Sequence, residues 1–145
     1  MENNDRNSLL IADDNTFNLQ ILYRILKHEY IVRGVSTGEA CIDAAEKFQP
    51  DLILLDVLMP EMDGYQVFEA LKNSEKTAHI PVIFITGLDD ISEEIKCLSI
   101  GAVDYIKKPF DDTIIKLRVK LQIQNANQLR EVEQLRKEIE QLKKM

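Results

Sequence analysis

The chain has no tryptophan, and only two cysteines, five glycines and four prolines in 145 residues. Two cysteines cannot build a disulfide framework. Cys41 and Cys97 both fall in stretches with helical spacing and read as core or helix-face fillers in a reducing cytoplasm. Scarce glycine and proline exclude a collagen-like or low-complexity chain. No apolar run approaches the ~18 residues that a membrane-spanning helix needs, and no amino-terminal segment resembles a signal peptide. Positive charge is also short, with 18 Lys+Arg against 25 Asp+Glu and a net charge of −7. The shortage is uneven: residues 1–112 hold 10 Lys+Arg against 21 Asp+Glu, whereas residues 113–145 hold 8 against 4. An acidic body disfavours direct nucleic-acid binding, which depends on neutralising phosphates. The basic excess of the tail reads as a solvated helix face. The length is that of one domain of ordinary size, able to bury a core without staples.

What is present is organised around residues 52–64, Leu-Ile-Leu-Leu-Asp56-Val-Leu-Met-Pro60-Glu-Met-Asp-Gly64. Four consecutive aliphatics without alternation predict a strand buried on both faces, as in a parallel sheet covered by helices. Asp56 ends that strand, Pro60 and Gly64 punctuate a turn, and Tyr65, Phe68 and Leu71 begin a helical spacing. Similar units flank it. Ser8 to Ala12 is a short apolar run closed by Asp13-Asp14, followed by a helix over Phe17–Leu26 that Asn15 or Thr16 can cap. A second strand over Tyr30–Val35 precedes a helix over Ala40–Phe48 that Pro50 ends. Pro81 to Ile85 leads to Thr86-Gly87 and a helix around Ser92–Ile100. Val103 to Ile106 leads to Lys107-Lys108-Pro109.

Five strand and helix alternations at roughly 20 to 25 residue spacing predict a doubly wound α/β domain with a parallel five-stranded sheet and helices on both faces. All strands then point one way, so Asp13, Asp14, Asp56, Thr86 and Lys107 or Lys108 converge on one crevice at the carboxyl edge. Each alone is an ordinary cap, turn residue or surface charge. Together they describe a chemistry. Three crowded carboxylates need a cation, and Mg²⁺ accepts oxygen ligands from one or two carboxylates plus water and phosphate. A carboxylate can attack phosphorus to form an aspartyl phosphate, with metal, ammonium and hydroxyl compensating the phosphoryl oxygens. Spacing alone leaves Lys107 and Lys108 equivalent.

Asp13-Asp14, the run from Asp56 to Gly64, Thr86-Gly87 and Asp104-Tyr105-Ile-Lys-Lys108-Pro109-Phe110 resemble, in order and spacing, the receiver domain of two-component response regulators of the chemotaxis-regulator type. The resemblance covers about residues 6–122 and makes 1–122 a receiver domain and 123–145 a helical extension. It implies strand order 2-1-3-4-5 and phosphorylation of Asp56 by a sensor histidine kinase or phosphotransfer protein. It also implies Mg²⁺ held by Asp14, Asp56 and the carbonyl of Leu58, with Asp13 acting through water. It selects Lys108, which directly precedes proline, often through a cis peptide. Thr86 and Tyr105 resemble the family's switch pair, biasing a surface of the fourth helix, fifth strand and fifth helix. Leu58 and Leu88 occupy positions that tune acyl phosphate lifetime in the family. Both are apolar, so slow self-dephosphorylation is expected.

From Thr113 to Met145 no proline or glycine interrupts a helical pattern. With Arg118, Asn125, Val132 and Ile139 as a positions, Leu121, Gln128, Leu135 and Leu142 fall at d. Glu131 and Glu138 at g then face Arg136 and Lys143 at e across a parallel two-stranded coil. A homodimer through this helix is therefore expected; the alternative is one amphipathic helix folded back on the body. The pattern runs to the last residue, so an output domain beyond it, or in a partner, is expected. In the family such helices lead to diguanylate cyclase, phosphodiesterase or histidine kinase segments, and Asp14-Asn15-Thr-Phe-Asn18 resembles receivers attached to kinases. Two other classes compete. A haloacid-dehalogenase-like Mg²⁺ phosphohydrolase would need an acid at Leu58. A binding-only module would leave the site residues without a purpose. His28 and His79 stand apart from the crevice and read as ordinary surface residues.

Overall fold

The computed structural model describes residues 6–87 and 91–145. The elements run β1 (Ser8–Ala12), α1 (Thr16–Leu26), β2 (Ile31–Val35), α2 (Gly38–Phe48), β3 (Leu52–Asp56), α3 (Gly64–Lys72), β4 (Val82–Thr86), α4 (Ile91–Ser99), β5 (Asp104–Lys107) and α5 (Asp112–Lys143). All strand pairs are parallel, in the order β2-β1-β3-β4-β5. The expected doubly wound sheet is thus observed.

Burial on both faces follows from the pleat, which sends successive side chains to opposite sides. Ile53 and Leu55 of β3 pack with Leu10, Phe84, Cys41, Val67, Phe68 and Cys97 beneath α2, α3 and α4. Leu52 and Leu54 pack with Leu9, Ile11, Ile83, Leu22, Ile115 and Val119 beneath α1 and α5. Both cysteines are buried, and burial pushes the Cys41 thiol up to about 12, so it behaves as a small apolar side chain. His28 and His79 are exposed.

Helix starts are fixed by side-chain caps. Asn15 accepts the Phe17 and Asn18 N–H groups at the head of α1, Thr37 accepts Ala40 N–H for α2, and Asp63 and Gln66 form a reciprocal capping box for α3. Between the two candidate caps of α1, the structure uses Asn15. Strand β2 begins at Ile31, one residue later than the sequence reading. Tyr30 is engaged elsewhere, its N–H bonding the Leu26 carbonyl at 3.1 Å as α1 closes.

The last helix is continuous over 32 residues, about 48 Å at the usual rise. Ile115, Val119 and Ile123 are buried against the sheet, contact with the body continues to Arg130, and beyond it the helix is exposed along its length. It is fastened at the amino-terminal edge of the sheet, far from the acidic end of the strands. Arg130 bonds the carboxylate of Asp51, and the side chains of Asn127 and Asn7 bond each other at 3.2 Å. Burial raises the Asp51 carboxyl, but Ser8 N–H, Arg130 and Asn7 outweigh it and hold the group below its ordinary range.

The start of α3 lies directly on the end of β3. Gly64 N–H donates to the Val57 carbonyl at 2.8 Å. A Cβ at Gly64 would stand 2.3 Å from the Asp56 carbonyl oxygen and 2.9 Å from Val57 Cα, both backbone atoms that cannot swing away. Gly64→Ala is therefore expected to lower stability by about 2 kcal/mol or more in chemical denaturation. A change within about 0.5 kcal/mol would show that the loop tolerates the methyl group.

Candidate functional site

Parallel order places the ends of β1 and β3 side by side, with Leu55 beside Ala12 in register. The chain leaving β1 therefore puts Asp13 next to Asp56. Asp13 is fully buried, Asp56 is 2% exposed, and Asp14 is exposed at the rim. Among the described residues these three form a group whose carboxylate oxygens lie within 4.8 Å of one another. Lys108 reaches in from the end of β5, its Nζ 3.3 Å from Asp56 Oδ2 and 3.6 Å from Asp13 Oδ2.

Asp56 bears the cost of this crowding. Burial first, and the neighbouring Asp13 charge second, push its carboxyl up to about 6, against the lowering pull of Lys108. Its other oxygen accepts the Leu58 N–H at 3.4 Å. Asp13 is more fully held: Oδ1 accepts the Asn15 N–H at 2.9 Å and Oδ2 accepts the Asn18 side-chain amide at 3.2 Å. An all-carboxylate donor set suits a hard divalent cation such as Mg²⁺, and the three oxygens are close enough together to share one. The residues present therefore fit the metal.

Thr86 closes β4, buried at 1% exposure, and its carbonyl accepts the Lys108 N–H at 2.9 Å. The Lys108–Pro109 peptide is cis. The two lysines separate cleanly. Lys107, last residue of β5, turns outward to Glu94 of α4 at 2.6 Å, while Lys108 turns into the acidic crevice. Tyr105 is half-buried, and its hydroxyl donates to the other Glu94 oxygen at 3.0 Å. Glu94 thus ties α4 to β5 through two partners. Leu58 is 59% exposed at the mouth of the site. Leu88 lies outside the described residues.

The structure brings together Asp13, Asp14, Asp56, Lys108 and Thr86, and sets Tyr105 two residues before Lys107 on β5. Sequence reasoning named Asn18 without a role in the site and missed Glu94. Asn18 stands in the first turn of α1, where its spacing from Asp13 would have been the signal. Glu94 is indistinguishable in sequence from any exposed helix acid.

These features define a phospho-acceptor class of α/β domain, and comparison with known proteins is specific about which. The chain belongs to the response regulator receiver domain family, whose model matches residues 9–120. It is 36% identical over 125 residues to the "Probable cyclic di-GMP phosphodiesterase" of Vibrio cholerae, covering 86% of this chain and 28% of that protein. It is 41% identical over 113 residues to response regulator PleD of Caulobacter vibrioides, covering 77% of this chain and 25% of that protein. The chain thus spans about a quarter of the length of these relatives. The receiver domain of sensor histidine kinase PA1611 from Pseudomonas aeruginosa, solved with magnesium in its active-site cleft, superposes with a TM-score of 0.74. That likeness is at 27% identity and covers 81% of this chain and 98% of that one. Receiver domains are phospho-accepting signalling switches, bind Mg²⁺ at an acidic pocket and take phosphoryl groups from sensor histidine kinases.

The raised Asp56 carboxyl has a consequence for stability without metal. A carboxyl whose folded value exceeds its unfolded value favours the fold when protonated, and that contribution is lost as pH rises through the folded value. Asp56→Asn is therefore expected to stabilise the metal-free protein near pH 7.5, by on the order of 1 kcal/mol or a few degrees of melting temperature. The advantage should shrink toward pH 4.5. Thermal melts across that window check it, and an advantage independent of pH would remove the carboxylate repulsion as its cause.

Proposed function

We propose that Asp56 is the phosphoryl acceptor of this chain, with Lys108 and Thr86 completing the site and Tyr105 reading its state. The observation that carries this reading is the Lys108 ammonium lying 3.3 Å from Asp56 inside a cluster of three carboxylates. An Asp56 oxygen attacks the phosphorus of a phosphohistidine on a sensor kinase or phosphotransfer protein. The P–N bond breaks, and the phosphoryl group rests on Asp56 as an acyl phosphate. Asp14, Asp56 and the Leu58 carbonyl would hold Mg²⁺, with Asp13 acting through water, and the metal would supply charge neutralisation for the phosphoryl oxygens. Lys108 pairs with a phosphoryl oxygen in place of its present carboxylate partners, and the Thr86 hydroxyl donates to another. The inward shift of Thr86 draws the Tyr105 ring after it, breaking the bond to Glu94 and altering the face of α4, β5 and α5.

That face carries several exposed apolar side chains among its charged ones. Ile91, Ile95 and Leu98 of α4 and Ile114, Leu117 and Leu121 of α5 are all exposed. Farther along α5, Val132, Leu135, Ile139 and Leu142 continue the stripe. At 3.6 residues per turn these residues lie about half a turn from the buried Ile115, Val119 and Ile123. The stripe therefore faces away from the body, which supports a parallel coil with a second copy rather than a helix folded back on the domain. No separate enzyme activity is assigned: Leu58 stands where a phosphohydrolase would need its general acid. A cytoplasmic location fits a domain addressed by kinases, and among the described residues no helix is long and apolar enough to cross a membrane. The body's acidic surplus disfavours a direct nucleic-acid role.

Incubation with a small acyl phosphate, read by intact mass, tests the chemistry. One phosphoryl group should be gained with Mg²⁺, none after chelation and none in Asp56→Asn, and size-exclusion chromatography with light scattering on the same samples should show a dimer. No gain in the wild type under any condition would reduce the chain to a binding module. Leu58 at the mouth bears on lifetime. Its replacement by asparagine, which can hydrogen-bond an attacking water, should speed decay of the acyl phosphate several-fold. An unchanged decay rate would exclude Leu58 as a barrier to water.

A further inference from the structure

Two of the groups that hold the Asp13 carboxylate, Asn15 and Asn18, belong to neither the metal set nor the phosphoryl site. Its Oδ1 accepts the Asn15 backbone N–H, and its Oδ2 accepts the Asn18 amide at 3.2 Å while lying 3.6 Å from Lys108 Nζ. An ionised carboxylate only accepts, so the Asn18 group facing it is the NH₂ end of the amide. Asn15 serves two purposes in this arrangement. Its side-chain oxygen caps α1 by accepting the Phe17 and Asn18 N–H groups, and its own N–H fixes Asp13. Capping fixes the backbone of Asn18, and a helical side chain leans toward the helix amino terminus, which aims the amide back at Asp13.

We propose that Asn18 is a positioning residue for Mg²⁺ binding, acting through Asp13. The inference rests on the reading of Asp13 as part of the metal site. With one oxygen tied to Asn15 and the other shared between Asn18 and Lys108, Asp13 cannot swing toward Asp14 and Asp56. It presents its charge from a fixed distance and keeps its remaining lone pairs for water. Without the amide the buried carboxylate is free to follow Lys108, the remaining strong partner, and that pairing competes with the metal for the same charge. Groups that orient a metal-site carboxylate in this way typically contribute 10–100-fold in affinity.

The test compares wild type with Asn18→Ala, which suits the first turn of a helix, and Asn18→Leu, which keeps the volume without the donor. Mg²⁺ affinity is measured by titration calorimetry, the Mg²⁺ concentration giving half-maximal acyl phosphate-driven phosphorylation by intact mass, and folding by metal-free melting. Both variants should stay folded, melting a few degrees lower because buried Asp13 loses one donor, bind Mg²⁺ on the order of tenfold more weakly, and need correspondingly more Mg²⁺. Their rate at saturating Mg²⁺ should stay within a few-fold, because Asn18 does not touch the phosphoryl group. Unchanged affinity in either folded variant overturns the proposal, as does a rate at saturating Mg²⁺ that falls while affinity holds. Failure of the underlying reading looks different: the wild type itself would then bind no Mg²⁺, and the proposal would fall with it.

Discussion

Two buried negative charges on neighbouring strands are the constraint around which this molecule is arranged. Asp13 and Asp56 stand together because β1 and β3 are adjacent in a parallel sheet, and both are shut away from water. Isolated carboxylates in such a place would be protonated. The fold brings them the Lys108 ammonium, carried from two strands beyond β3 by the turn after β5, and gives Asp13 N–H groups from the head of α1. The compensation is incomplete, since Asp56 remains pushed up to about 6. This residual imbalance is what a bound divalent cation would relieve: positive charge placed among the carboxylates offsets the repulsion that folding leaves in place.

The architecture was legible because its signals were redundant. Four aliphatics before Asp56 could only be a strand covered on both faces, and the structure divides them alternately between the two cores. The acidic cluster was legible for a topological reason. Parallel strands share one carboxyl edge, so residues that follow separate strands must meet. Direction within that edge was not legible. Lys107 and Lys108 are equivalent by spacing, and only the pleat, with Glu94 waiting on α4, decides that the first turns outward.

Other losses have the same origin. Helical periodicity places Asn18 on α1 without saying that its amide faces Asp13, because the approach of helix to strand end is a tertiary fact. By spacing Arg118 is the first a position of the coil, yet its guanidinium pairs with Asp104 of β5 at 2.6 Å within the same chain. The strictly apolar part of the stripe begins only at Val132. Polar groups with several possible partners are where sequence patterns lose resolution, since hydrogen bonds depend on direction and hydrophobic burial does not.

The fastening of Arg130 to Asp51 sets the azimuth of α5 where it leaves the body. Val132 follows two residues later, so the bearing of the apolar stripe is set by a count of residues. One residue inserted between them would turn the stripe by about 100° and point it along the flank of the domain. Seven would leave its bearing within about 20°. A sequence attached beyond this helix therefore inherits a phase as well as a distance, and variation in its length is free only in steps of a heptad.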